Sequence, residues 1–296
     1  VYKRNLLLFG AFLVILLVTL YFANGMLRGL TKLNATDVVA RQQTGYQKKA
    51  KADQNQSDNK TATVFIHGEN GNERTFRPMI QRLGKINSGL STSRIIRVTA
   101  DNKISVSGHA TPGRIPLIQI VFADSRGTLQ QQTGWLNTAF RYLKKNENIS
   151  RMNVVAHSMG GEAFVAWLEQ AGNRNDFPET MKFIPIAVPL DGSSGPRTES
   201  AVTLNQLKQS SPLYQKKSRI PSAIKVLAIA GVVGSKEQGD GQVPLRSALF
   251  GKYLFNPKNY SEKIIYGPQA AHSKLQEDTA ADQQVADFLW KNNTSE

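Results

Sequence analysis

Ser158 is the residue of this 296-residue chain with the clearest chemical potential. It stands between an apolar run, Met152 to Ala156, and a segment with helical spacing, Glu162 to Gln170. The run has the length and the paired valines of a fully buried strand. Gly160 and Gly161 read as a turn into the helix, whose Phe164, Val165, Trp167 and Leu168 fall on or near one face. A serine at such a strand–turn–helix corner sits in strained backbone that pushes its hydroxyl out above the sheet. The first amide of the helix then points at whatever the serine attacks. The small flanking residues are Ala156 and Gly160, giving A-x-S-x-G where G-x-S-x-G is more usual. Without chemical partners, the same residues make an ordinary glycine turn.

A serine becomes a nucleophile when a general base takes its proton and a carboxylate orients that base. The chain has four histidines. His67 follows the first strand of the folded region, His109 lies past a hairpin, and His157 points away from a corner at which it is the neighbouring residue. Only His272 lies downstream of Ser158, where the order Ser, Asp/Glu, His puts the base. Its bland alternative is an exposed loop residue. The acid should follow the preceding strand, and there Asp240 lies between Gly239 and Gly241, which let the loop approach His272 without steric interference. Asp191 is the rival, Glu237 a weaker candidate, and Asp124 lies upstream of the serine. Two amides should meet the charge of a tetrahedral intermediate: that of Met159, from its place in the corner, and that of Glu69, with Asn70 as the alternative. No H-E-x-x-H, clustered His/Asp set or G-x-x-x-x-G-K-[ST] loop is present, so neither a metal nor a cofactor is expected.

These residues need a sheet edge to meet on. Apolar runs predict strands at Thr61–Ile66, Arg94–Thr99, Lys103–Ser107, Leu117–Phe122, Met152–Ala156, Lys182–Val188, Ala223–Ala230 and Lys263–Tyr266. Helical spacing marks Thr75–Leu83, Leu129–Lys145, Glu162–Gln170 and Asp278–Trp290. The alternation predicts an α/β fold, a mostly parallel twisted sheet with helices on both faces, with its chemistry at the carboxyl ends of the strands.

Leu6 to Ala23 is apolar apart from Gly10 and Thr19 and follows Lys3 and Arg4. Eighteen helical residues span about 27 Å, close to the hydrocarbon thickness of a bilayer. The expectation is an N-terminal transmembrane helix in residues 1–29, the remainder lying outside the cell; a cleaved signal and secretion is the alternative. Residues 30–60 are polar and read as a tether, and 61–296 as the folded domain. The chain lacks cysteine, which excludes disulfides and thiolate chemistry. Its net charge is +15. Without a dense basic block, that charge fits an anionic cell-wall or lipid surface better than nucleic acid.

With Ser158, Asp240 and His272 in place the chain resembles an α/β-hydrolase. More closely, it is similar to the cell-surface α/β-hydrolases of Gram-positive bacteria whose function is unassigned. The residues that carry the resemblance are Val64 to Gly68, Asn153 to Gly161, Gly239 to Pro244 and Ala271 to Ser273, and the likeness covers about Thr61 to Trp290. It implies an exported or anchored Ser-His-Asp hydrolase acting on carboxylic esters or related acyl bonds, through an acyl-enzyme and with a small acyl-ester substrate. A peptidase, amidase or acyltransferase would use the same three residues, and a catalytically silent surface binding protein could share the fold. Ser193 to Arg219, the expected cover of the site, is short and polar, which favours short or medium acyl groups.

Overall fold

The computed structural model describes residues 19–21, 61–192, 202–234 and 239–291. The chain divides into two units, Val1–Gln56 and Ser57–Glu296. Of the first, residues 19–21 are helical and exposed. The rest of the expected membrane helix and the whole tether lie outside the described residues, as does Glu237. Among the described residues no helix is long and apolar enough to cross a membrane.

In the second unit, eight strands form one sheet: β1 (Thr61–Ile66), β2 (Leu90–Val98), β3 (Ile104–Ser107), β4 (Ile115–Phe122), β5 (Arg151–His157), β6 (Glu179–Ile186), β7 (Lys225–Val232) and β8 (Tyr260–Tyr266). Their spatial order is β3-β2-β4-β1-β5-β6-β7-β8. Only β2 and β3 pair antiparallel; every other neighbour is parallel. Parallel strands covered on both faces read as unbroken apolar runs, which is how β4, β5 and β7 read. From β1 the chain builds β2 to β4 on one side and β5 to β8 on the other. The crevice of such a sheet opens at this reversal, past the carboxyl ends of the strands. The loops after β1 and β5 are therefore neighbours at the crevice.

Alternate residues feed two cores. Ala62, Val64 and Ile66 of β1 join helices α2 (Leu129–Asn146) and α3 (Met159–Ala171) on one face. Phe65 faces the other side, with α1 (Arg77–Ile86) and α5 (Thr279–Trp290). A seven-residue helix, α4 (Leu204–Ser210), lies where the sequence suggests a short helix at Leu204 to Lys208, opened by a capping box between Thr203 and Gln206. Arg82 of α1 and Asp282 of α5 form an ion pair that ties these two helices together.

The elements differ from the sequence reading mainly at their starts. β2 begins at Leu90, four residues before its apolar core, because polar side chains take part in the pairing: Leu117 N–H donates to Ser91 Oγ (3.3 Å) and Gln119 Nε2 to Ser93 Oγ (2.9 Å). α1 begins at Arg77, with Phe76 at its N-cap and proline in its first turn. α3 begins at Met159, so Gly160 and Gly161 lie inside the helix and form no separate turn.

Aromatic rings pack between α2, α3 and the sheet. Phe164 is fully buried, with its ring 4.8 Å from that of Phe183 and 6.0 Å from that of Phe140. Phe164→Ala removes this ring from a close-packed core. It should lower stability by about 3–5 kcal/mol, read as a shift in urea midpoint at unchanged denaturant slope.

Candidate active site

At the end of β5 the backbone of Ser158 adopts φ 51° and ψ −134°. A residue with a Cβ seldom takes positive φ, and neighbours must hold it there. Ser158 N–H donates to Ile186 O of β6 at 3.2 Å, and its own carbonyl accepts from Gly161 N–H at 2.8 Å. The serine is thus fixed by the strand beside it and by the helix it opens. That helix starts too close to its surroundings for side chains. A Cβ on Gly160 would lie 2.2 Å from His67 O, and one on Gly161 2.2 Å from Val188 Cγ2. These glycines serve approach in a helix, which is why reading them as chain breakers misplaced the helix start. Ala156, fully buried two residues before the serine, fits in place of glycine.

The structure brings Ser158, His272 and Asp240 together from the loops after β5, β8 and β7. His272 Nε2 lies 3.0 Å from Ser158 Oγ, and His272 Nδ1 lies 2.8 Å from Asp240 Oδ2. An ionised carboxylate can only accept, so Nδ1 carries the proton and the Nε2 lone pair faces the serine hydroxyl. Asp240 is 3 % exposed, and its second oxygen, Oδ1, accepts the N–H groups of Gln242 (2.9 Å) and Val243 (2.7 Å). Gly239 and Gly241 have φ of 59° and 92°, a region favoured by glycine, and this lets the loop fold back onto its own aspartate. Asp191 is engaged elsewhere, accepting from Ser247 Oγ at 2.6 Å. Asp124 accepts from Arg126 N–H.

On the other side of the serine lies the loop after β1. Gly68 packs so closely that a Cβ on it would meet Ser158 Cβ at 2.8 Å. Its shape is set by His67, whose Nδ1–H donates to Gly68 O (2.8 Å) while Nε2 accepts from Phe122 N–H (3.0 Å). Burial holds the His67 imidazole below its usual pKa. Of the two candidate amides in this loop, that of Asn70 is already bonded to Ser125 O at 3.3 Å. The Glu69 amide has no such bond among the described residues, and its side chain is exposed. The Met159 amide opens α3 and is likewise absent from the loop and cap hydrogen bonds. Chemically, the set can deliver a serine oxygen to an electron-poor centre and store its proton on His272. Among the described residues no group of His, Asp and Glu could hold a metal ion.

The family model of an alpha/beta hydrolase of unknown function (DUF915) matches residues 50–292. Among solved structures, a gene product of Listeria innocua is similar at 26 % identity and a TM-score of 0.71, covering 80 % of this chain and 97 % of its own. A protein of Lactobacillus plantarum, described as a candidate cell surface hydrolase, is similar at 25 % identity and a TM-score of 0.64, covering 79 % of this chain and 91 % of its own. No curated protein matches.

Sequence reading assigned no role to Glu162, one helical turn beyond Ser158. It is 4 % exposed, and its backbone N–H donates to Ser158 O at 3.4 Å. Burial, and then the nearby Asp191, push its carboxyl pKa up to about 8. A carboxyl raised in the fold stabilises most below its unfolded pKa, and that contribution is lost as pH rises through the folded value. His157 runs the opposite way. Burial lowers its pKa to about 3, so its contribution is present above the ordinary histidine value and lost on acidification. Between pH 6.5 and 8 Glu162 is already ionised in the unfolded chain, while the fold still holds its proton. Over that interval wild type should lose roughly 2 kcal/mol that Glu162→Gln keeps. Urea midpoints of the two proteins should diverge with rising pH; parallel curves would contradict the assignment.

Proposed function

The chain belongs to the alpha/beta hydrolases of unknown function, and from that premise we propose that it is an extracytoplasmic serine hydrolase cleaving carboxylic esters. The observation that carries this reading is the continuous relay from Ser158 Oγ through His272 to Asp240, at 3.0 and 2.8 Å. Ser158 Oγ attacks the ester carbonyl carbon as His272 Nε2 takes its proton, and Asp240 steadies the resulting imidazolium through Nδ1–H. The tetrahedral oxyanion is received by the amides of Met159 and Glu69. Collapse expels the alcohol, which takes the proton back from His272, and leaves an acyl-enzyme on Ser158. Water, activated by the same histidine, then releases the acid and restores the hydroxyl.

Short or medium acyl chains fit best. Within 202–219 no large hydrophobic side chain is exposed, whereas a lid that opens on lipid would present an apolar stripe. In the proposed organisation residues 1–29 anchor the protein in the cell membrane, 30–60 form a tether and 61–296 hold the hydrolase outside. The apolar run of residues 6–23 supports the anchor, and the start of β1 at Thr61 supports the boundary. The cell-surface description of the Lactobacillus plantarum protein supports the location. The +15 net charge suits an anionic wall or headgroup surface.

Fluorophosphonate should label wild type and leave Ser158→Ala unlabelled, with ester turnover reduced about 10⁴–10⁶-fold in the variant. Equal labelling of the two proteins would overturn the assignment. The membrane-associated protein should have the mass of the uncleaved chain; loss of the first ~25 residues would mean a removed signal.

A further inference from the structure

His157 is a buried polar side chain at the site to which the mechanism gives no task. His157, the last residue of β5 and the one before Ser158, is 7 % exposed. Its Nε2 lies 3.0 Å from the backbone carbonyl oxygen of His272. The two imidazoles are in contact, with centroids 4.7 Å apart and planes tilted by 46°. On its other side the ring meets the loop after β1: a Cβ on Gly68 would lie 3.3 Å from His157 Nδ1. One ring therefore touches both the loop that carries the proposed base and the loop that carries the proposed oxyanion amide.

We propose that His157 is a positioning residue that sets the reach of His272, donating Nε2–H to its carbonyl and fixing the peptide from which the base projects. The proposal rests on the serine-hydrolase reading above and deepens it. A carbonyl only accepts hydrogen bonds, so Nε2 of His157 must carry a proton. The peptide of His272 is then held on both sides, since its N–H donates to Asp240 O at 3.0 Å and its C=O accepts from His157. Two side-chain torsions separate that peptide from Nε2 of His272, and Nδ1 is already pinned to Asp240. With both ends of the lever fixed, the distance from Nε2 to Ser158 Oγ is set by geometry and needs no search at the moment of attack.

The ring's charge state fits this task. The ionisable groups around it are His272, Asp240 and His67, and burial outweighs them to keep the ring neutral. When His272 becomes an imidazolium during turnover, a second cation in contact with it would oppose that step. A neutral donor holds the carbonyl without doing so. A leucine would fill the same space and hold nothing.

The proposal is tested on the full chain with p-nitrophenyl butyrate and a fluorophosphonate. In His157→Leu, kcat and the fluorophosphonate labelling rate should fall together by about 10–100-fold at unchanged KM, the range seen when the hydrogen-bond partner of a metal-ligating side chain is lost. His157→Gln, which can still donate an N–H, should recover most of the loss. Unchanged kcat and labelling in His157→Leu, or glutamine as slow as leucine, would reduce His157 to packing and overturn the proposal. A direct reading in wild type covers variants that do not fold: ¹⁵N imidazole NMR should find His157 neutral and protonated at Nε2 from pH 5 to 8. Protonation at Nδ1 instead would also overturn it. Ester cleavage retained in Ser158→Ala would sink the hydrolase reading itself, and that result is independent of the His157 comparisons.

Discussion

Holding a side-chain-bearing residue at positive φ at the end of a buried strand is the constraint from which the rest of this site follows. Such a backbone costs on the order of 1–3 kcal/mol and persists only where its surroundings over-determine it. Here the surroundings are β6, which takes the amide of Ser158, and the first turn of α3, which takes its carbonyl. The turn can sit that close only because Gly160 and Gly161 present no Cβ to His67 O and Val188, and the loop after β1 only because Gly68 presents none to Ser158. Three glycines, far apart in their apparent roles, thus serve one conformation.

The site also shows how one side-chain type is divided among tasks by what each ring nitrogen touches. Three of the four histidines are buried. His67 donates from Nδ1 to a carbonyl and accepts an amide at Nε2, and so shapes a loop. His272 meets a carboxylate at Nδ1, which frees Nε2 to face a hydroxyl. His157 faces a carbonyl at Nε2. No rearrangement of protons among them is needed for all three contacts to coexist.

The architecture was legible in the sequence because buried parallel strands write themselves as apolar runs, as β4, β5 and β7 do. Starts of elements were less legible where polar side chains join the pairing, as Ser91 and Ser93 do in β2. The scarcity of histidine made His272 readable by elimination, and the glycines around Asp240 marked a loop whose φ values now explain them. The places of Gly160, His157 and Glu162 were not legible. Each is defined by contacts with residues distant in the chain, and local spacing carries no trace of those contacts. Residue type misled at Gly160, since glycine suggests a break.

The three members of the relay do not share equal support. Ser158 hangs from β5, with strands on either side of it, while His272 hangs from β8, which borders the sheet and has solvent-facing residues through its middle. Local openings in proteins begin where contacts are fewest. An opening that frays β8 would carry the histidine away while the serine corner, three strands deeper, stays intact. In the proposed hydrolase, loss of turnover would then precede loss of the fold, making activity a reporter of order at one edge of the sheet.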